Sequence, residues 1–212
     1  MPTPRINKSE QNAPYFITIT VIEWLNIFTS KEYFDCLINC LKYCQKNLGL
    51  SLYEYVIMTN HIHLVAQAKE GYELSKIISS FKSFTSKEVL KLLKKDNRKH
   101  ILVILRGLVY GSDMEVGANS FKAVGSDFHV GTRKRGYDKF TLDNFRGTIW
   151  QRENYPELIE TDKFLQQKAD YIYNNPVVKG YVDEPQHYLY SSARNRYLDD
   201  DSIIKLDNDI YE

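Results

Sequence analysis

From Tyr15 to Trp24 the chain reads YFITITVIEW, with aromatic and β-branched side chains alternating as in a half-buried strand. The period then changes. Phe34, Leu37, Ile38, Leu41 and Cys44 recur at intervals of three and four, which predicts a helix that Ser30 can cap, that reaches about Asn47 and that Gly49 stops. Two further strand-like runs follow, 51–58 (SLYEYVIM) and 61–68 (HIHLVAQA). The turn formers Thr59 and Asn60 join them, so an antiparallel hairpin is expected. Residues 73–95 form a long amphipathic pattern with Leu74, Ile77, Ile78, Phe81, Phe84, Val89, Leu90 and Leu93 on one side.

Residues 149–160 (IWQRENYPELIE) read as a last short strand with its flanks. Thr161 then caps a helix through Phe164, Leu165, Lys168, Ala169, Tyr171 and Ile172, which Pro176 is expected to end. The order is βαββαβα. It places the chain in the α+β class and predicts a ferredoxin-like antiparallel sheet backed by helices. Residues 13–197 are expected to form a single domain, with a Gly-rich insertion at about 96–148. Within that insertion GSDMEVG at 111–117 recurs as GSDFHVG at 125–131. The repeat is too short for a solenoid unit and suggests hairpins or a loop. Residues 198–212 form an acidic tail, expected to be peripheral because Ile203, Ile204 and Leu206 are its main apolar residues.

Composition adds limits. With 43% apolar and 26% charged residues the chain is expected to fold, and no apolar run approaches the ~18 residues of a membrane helix. The polar stretch from Met1 to Gln11 has no signal-peptide core, so a cytoplasmic protein is expected. The 28 basic and 27 acidic residues nearly cancel but are unevenly placed. Between Lys76 and Arg106 nine are basic and two acidic, making the polar face of the long helix cationic, whereas Asp183 to Glu212 holds eight acidic and three basic residues. Cys36, Cys40 and Cys44 lie four apart on one helix face and read as small buried side chains in a reducing compartment.

Two constellations could carry chemistry. His61 and His63 flank Ile62 in a strand, so both imidazoles leave one face with Cα atoms about 7 Å apart, a spacing that suits a shared metal or an ordinary polar strand face. Tyr171 and Asn175 lie one turn apart on the last helix and could face the histidines. A tyrosine hydroxyl can attack a phosphodiester if a cation neutralises the phosphoryl oxygens, conserving the bond energy in a phosphotyrosine. With 16 tyrosines in the chain, packing is the competing explanation for any one of them.

Taken in order, MTNHIHLVAQA, the basic helix with FKSFTSKEV, IWQRENY, and ADYIYNNPVVKGYVDEPQHYLYSSARNRY resemble the REP-associated tyrosine transposases. These are members of the HUH superfamily of single-strand DNA nucleases, which includes insertion-sequence transposases with one catalytic tyrosine. The resemblance covers roughly residues 13–95 and 149–197, and NHIHLV and YIYNNPV are among its most specific parts. It implies that His61 and His63 bind a divalent metal, Mg or Mn. It also implies that Tyr171 is the nucleophile and that Asn175 supplies a third ligand, with Asn174 a neighbouring choice for the ligand and Tyr173 and Tyr155 the rival nucleophiles. The chain departs from the family in its longer stretch between Lys95 and Gly147, where Arg133, Lys134 and Arg135 keep DNA contact open.

The resemblance implies a DNA transposase and single-strand endonuclease that forms a 5′-phosphotyrosine and rejoins strands at hairpin-forming repetitive palindromes. Lys82, Lys87, Lys91 and Lys94 would bind phosphates. The partner would be single-stranded or hairpin DNA, the location cytoplasmic and nucleoid-associated with no membrane, and a homodimer is possible. The alternatives are a metal-dependent hydrolase using water, indifferent to Tyr171, and a non-catalytic nucleic-acid-binding module whose sheet aromatics Tyr15, Phe16, Tyr53 and Tyr55 stack bases.

Overall fold

The computed structural model describes residue 6, residues 10–110, residues 147–207 and residue 210. The internal repeat and Arg133, Lys134 and Arg135 lie outside the described residues. Four strands, β1 (Tyr15–Thr20), β2 (Leu50–Ile57), β3 (His61–Ala68) and β4 (Glu157–Leu158), form one antiparallel sheet in the order β2-β3-β1-β4. This is the α+β, ferredoxin-like arrangement that the periodicity predicts.

Both faces of the sheet are covered, which explains why β2 and β3 are buried along nearly their whole length. On one face Ile17, Ile19, Leu52, Tyr55, Ile62 and Leu64 pack against α1 (Lys31–Asn47), α2 (Leu74–Lys95) and α3 (Lys99–Tyr110). On the other, Phe16, Tyr53, Val56 and Val65 meet Ala169, Ile172 and Tyr173 of α4 (Asp162–Val178) and Ala193 of α5 (Ala193–Leu198). Cys40 and Cys44 are buried in the first core and Cys36 packs partly buried against it. Gly49 is required at the end of α1: its φ is +69°, and a Cβ there would come within 2.3 Å of the Tyr72 ring.

Several elements differ from the sequence reading. The first strand ends at Thr20, because a short 3₁₀ turn at Ile22–Trp24 puts Glu23 and Trp24 in the left-handed region and swings the chain off the sheet. Only Glu157 and Leu158 pair as a strand in the 149–160 segment, although Trp150 bridges to Val21. Ser30 precedes α1, but its hydroxyl donates to Glu32 Oε2 instead of capping the helix. Thr161 does cap α4, accepting from the Phe164 N–H.

Pro176 does not end α4, which continues to Val178. The residue lies in the last turn, where one lost N–H is tolerated, and the reversal comes at Gly180 with φ +72°, closed by a Tyr181 N–H to Pro176 O bond. The stretch expected to be insertion begins with a helix, α3, whose Ile101, Leu102 and Leu105 complete the first core. Nor is the tail peripheral. Ile204 is buried, and Asp207 both accepts from the Leu52 N–H through its carboxylate and donates its own N–H to Leu52 O. Together with the Ser192 N–H to Tyr55 O and Ile57 N–H to Tyr190 O bonds, this covers the free edge of β2.

Candidate active site

The β1–β3 register sets His63 opposite Thr18 and His61 opposite Thr20, so both imidazoles stand on the α4 face of the sheet. Both are nearly fully buried, with ring centroids 4.8 Å apart. The first orienting bond is from Asn60. Its amide NH₂ donates to Trp24 O at 3.1 Å and Asn26 Oδ1 at 3.0 Å, which leaves Oδ1 to accept from His61 Nδ1 at 2.7 Å. Nδ1 therefore carries the proton and the His61 lone pair sits on Nε2. His63 Nδ1 is bonded at 2.9 Å to Thr18 Oγ1, and its Nε2 is buried without a hydrogen-bond partner.

α4 brings the second half of the site. Tyr171, 51% exposed, meets His63 edge-on at 5.0 Å between centroids and Phe16 at 5.9 Å, while Phe16 itself stacks on His63. Asn175, one turn later, is 8% exposed, and its Oδ1 is buried without a partner, as is Glu54 Oε2 farther across the same face. Buried polar atoms ordinarily find partners, so the orphaned His63 Nε2 and Asn175 Oδ1 indicate a site prepared for something else. Burial, and then Lys179, push the His61 pKa down to about 4, opposed by Asn175. Burial, then His61 and Lys168, push His63 down to about 3. Both rings are neutral near pH 7, the state in which imidazole can ligate a metal.

His61, His63 and Asn175 thus offer two imidazole nitrogens and one amide oxygen, a donor set compatible with Mg or Mn. Among the described residues no cluster of three or more His, Cys, Asp or Glu competes with it. Tyr173, the rival nucleophile on α4, is placed differently from Tyr171. It is buried between the sheet and α5, edge-on to Tyr197, and burial together with Glu54 raises its pKa far above the ordinary tyrosine value. Asn174 is exposed and donates to Asp170 O. Tyr155 is half exposed beside β4, at φ 42°.

The expected phosphate-binding lysines do not surround this site. Lys87, Lys91 and Lys94 are on α2, which packs on the opposite face of the sheet, and Lys91 pairs with Glu88 at 2.7 Å. Lys82 is turned inward and donates to Gln151 O at 2.6 Å, Arg152 O at 3.1 Å and Asn154 Oδ1 at 2.8 Å, with burial lowering its pKa to about 8. One cation that does reach the site face is Lys168, which lies three residues before Tyr171 as a helical neighbour and was not singled out in the sequence for this role. Its Nζ sits 4.4 Å from the Phe16 ring centroid and 2.7 Å from Glu157 Oε1. Thr18 and Asn60 were likewise unnoticed as orienting residues, though strand alternation puts Thr18 on the Phe16 face and Asn60 directly precedes His61.

Known proteins resemble the chain in part of its sequence and in its fold. Residues 11–103 match the sequence profile of the family described as "Transposase IS200 like". A Haemophilus influenzae protein named as a REP-associated tyrosine transposase is 50% identical over 44 residues, which are 21% of this chain. The match spans a quarter of that relative's length (25%). In three dimensions the chain is similar to a REP-associated tyrosine transposase solved bound to a REP hairpin, with a TM-score of 0.59 at 14% identity, covering 100% of this chain and 94% of that one. In sequence and in fold this chain resembles the REP-associated tyrosine transposases.

Proposed function

We propose that the chain is a metal-dependent tyrosine transposase that cleaves and rejoins single-stranded DNA at hairpin-forming repetitive palindromes. The observation that carries this reading is the Tyr171 ring set against His63 beside two buried acceptors, His63 Nε2 and Asn175 Oδ1, that lack partners. His61, His63 and Asn175 would hold the divalent cation. When bound, it would supply positive charge to the non-bridging oxygens of the scissile phosphate.

Tyr171 Oη attacks the phosphorus in line, the P–O3′ bond breaks, and the leaving 3′ oxygen takes up a proton as the tyrosine hydroxyl loses one. The products are a 5′-phosphotyrosine and a free 3′-hydroxyl. Attack by a 3′-hydroxyl on the phosphotyrosine reverses the step and joins strands without ATP. Phe16 and the buried histidines exclude water from one side of Tyr171, and Lys168, next to His63 and Phe16, places a positive charge near the attacked phosphate. Lys87, Lys91 and Lys94, on the other face, are proposed to contact flanking DNA rather than the reacting phosphate.

One catalytic domain over residues 13–197 carries this chemistry, and α3, inside the stretch expected to be an insertion at about 96–148, is part of its core. Among the described residues no helix is long and apolar enough to cross a membrane. A nucleoid-associated location and a homodimer remain part of the proposal. The binding-module alternative loses its stacking surface, because Tyr15, Phe16, Tyr53 and Tyr55 are all buried.

The test is incubation of the purified protein and its Tyr171→Phe variant with Mn and an end-labelled single-stranded hairpin library, resolved on a denaturing gel. A protein-linked DNA band that needs both the metal and Tyr171 is the expected result. Cleavage without an adduct would assign the attack to water, and binding without cleavage would make the chain a binding module.

A further inference from the structure

Trp24 is placed where a packing role does not account for it. The chain's other tryptophan, Trp150, is fully buried and donates its indole N–H to Thr85 Oγ1 at 2.9 Å. Trp24, by contrast, is 56% exposed and meets His61 edge-on at 5.6 Å between ring centroids. Its backbone φ is 54° and that of Glu23 is 52°, two consecutive non-glycine residues in the left-handed region. Such conformations persist where the surroundings hold them, and they gather at functional sites.

The turn is held from both sides. The Trp24 N–H donates to Val21 O and the Leu25 N–H to Ile22 O, while Asn60, the residue that orients His61, donates to Trp24 O. One side chain thus ties the backbone that carries the exposed indole to a metal-ligand candidate. A second exposed aromatic lies on the same rim. Tyr181 is half exposed, its hydroxyl is 3.2 Å from Thr59 Oγ1, and that oxygen in turn donates to Asn26 Oδ1. Lys179 follows the last residue of α4, one turn after Asn175, and its N–H donates to Asn175 O. The rim at the His61 end of the site therefore carries two open aromatic faces and a cation, the chemistry that a nucleotide presents in reverse: a planar base and an anionic phosphate.

We propose that Trp24, with Tyr181 beside it, is a stacking subsite for an unpaired base of the DNA strand adjacent to the phosphodiester at His61 and His63. This rests on the transposase reading for the identity of the strand. Stacking uses the π face that every base has, so the subsite tolerates any base and rejects an abasic position. Its role is to set the strand's path past the site, and the rigid turn at 22–25 supplies the preorganisation.

The chain contains two tryptophans, and with Trp150 sealed in the core, fluorescence reports on Trp24. The Tyr171→Phe protein, alone and carrying Trp24→Ala or Trp24→Phe, is titrated into an end-labelled oligothymidylate of about 12 nucleotides and a labelled abasic strand of equal length, with affinity read from the anisotropy of the label and Trp24 emission followed in the Tyr171→Phe parent. Three results are expected. The emission of Trp24 is quenched by the oligothymidylate, Trp24→Ala weakens its binding roughly tenfold while Trp24→Phe stays within about threefold, and the abasic strand binds all three proteins alike. In the Tyr171 background, Trp24→Ala requires about tenfold more DNA for half-maximal adduct.

Equal oligothymidylate affinity for the Trp24→Ala and parent proteins overturns the subsite. So does a loss with Trp24→Phe as large as with Trp24→Ala, accompanied by a lower melting temperature in both, which would make the residue structural. Trp24-dependent stacking with no adduct in the wild-type protein would instead overturn the transposase reading and leave the subsite standing.

Discussion

The Tyr171 ring on α4 rests edge-on against the His63 imidazole of β3 with 5.0 Å between centroids, and Phe16 of β1 closes the third side of the contact. Three elements distant in the chain converge on one buried imidazole, whose Nε2 has no hydrogen-bond partner. The contact is also asymmetric in exposure: the imidazole is sealed while the tyrosine is half open to solvent. In the proposed reaction the nucleophile needs such access to a strand of DNA, and a metal ligand benefits from such enclosure.

Asn60 fixes the tautomer of His61 by accepting from its Nδ1–H, and Thr18 holds the His63 ring through a hydroxyl contact to Nδ1. Removing either partner frees the ring to rotate or to move its proton to Nε2, and outer-shell partners of this kind typically hold 10–100-fold in metal affinity. Asn60→Ala and Thr18→Val should each weaken Mn binding by about that factor, read by calorimetry, with the circular dichroism spectrum unchanged. Unaltered affinity in both would remove the histidines from the metal site.

Stability should fall in acid. Burial first, with neighbouring cations second, depresses His61 to about 4 and His63 to about 3 from the ordinary 6.5. Between pH 6.5 and those values the unfolded chain binds more protons than the native one, so stability is full above about pH 6.5 and drains as pH falls through that window. Each unit crossed costs about 1.4 kcal/mol per histidine. In EDTA, the urea midpoint of the wild type should drop more between pH 7 and 5 than that of His63→Gln. Parallel drops would contradict neutral buried rings.

Lys82 and the outer lysines should separate in their response to salt. Lys87→Ala and Lys91→Ala should each reduce the slope of log affinity for single-stranded DNA against log salt by up to about 1, if those side chains meet phosphates. Lys82→Met should leave that slope intact and cost about 1–3 kcal/mol of stability, since Gln151 O, Arg152 O and Asn154 Oδ1 lose their donor. A lower slope in Lys82→Met would return that lysine to the DNA surface.

On the covered sheet edge, Arg196 Nε donates to the buried Glu54 at 2.9 Å, a carboxylate that burial pushes upward in pKa and whose Oε2 has no partner. Truncating the partner of a buried charge costs more than the pair contributes, and with the guanidinium partly in solvent the loss should be about 1–3 kcal/mol. Arg196→Ala should therefore melt several degrees lower, and adding Glu54→Gln should restore part of the difference. A neutral Arg196→Ala would mean that water already compensates Glu54.

The elements were legible because periodicity is local. The alternation in 15–20, the threes and fours of 34–44 and the hairpin turn at Thr59 and Asn60 depend on neighbours within a few residues, and the order βαββαβα then leaves few sheet topologies. His61 and His63 on one strand face, and Tyr171 and Asn175 on one helix face, follow from the same short-range geometry. The errors arose where a residue's local preference gave way to contacts elsewhere. Pro176 is tolerated because it falls in the last turn, α3 is recruited by core positions on α1 and α2, and the acidic tail is held by Leu52 across the β2 edge.

By itself the sequence determined which residue types were present and which of them share a face. Only the tertiary structure decided which faces meet. The β1–β3 register joined Thr18 to His63, the placement of α4 on that side brought Tyr171 and Lys168 to the imidazoles, and the packing of α2 on the other side took the basic helix away from them. These outcomes depend on where apolar surface from distant segments is buried, a property of the whole chain that no short window contains.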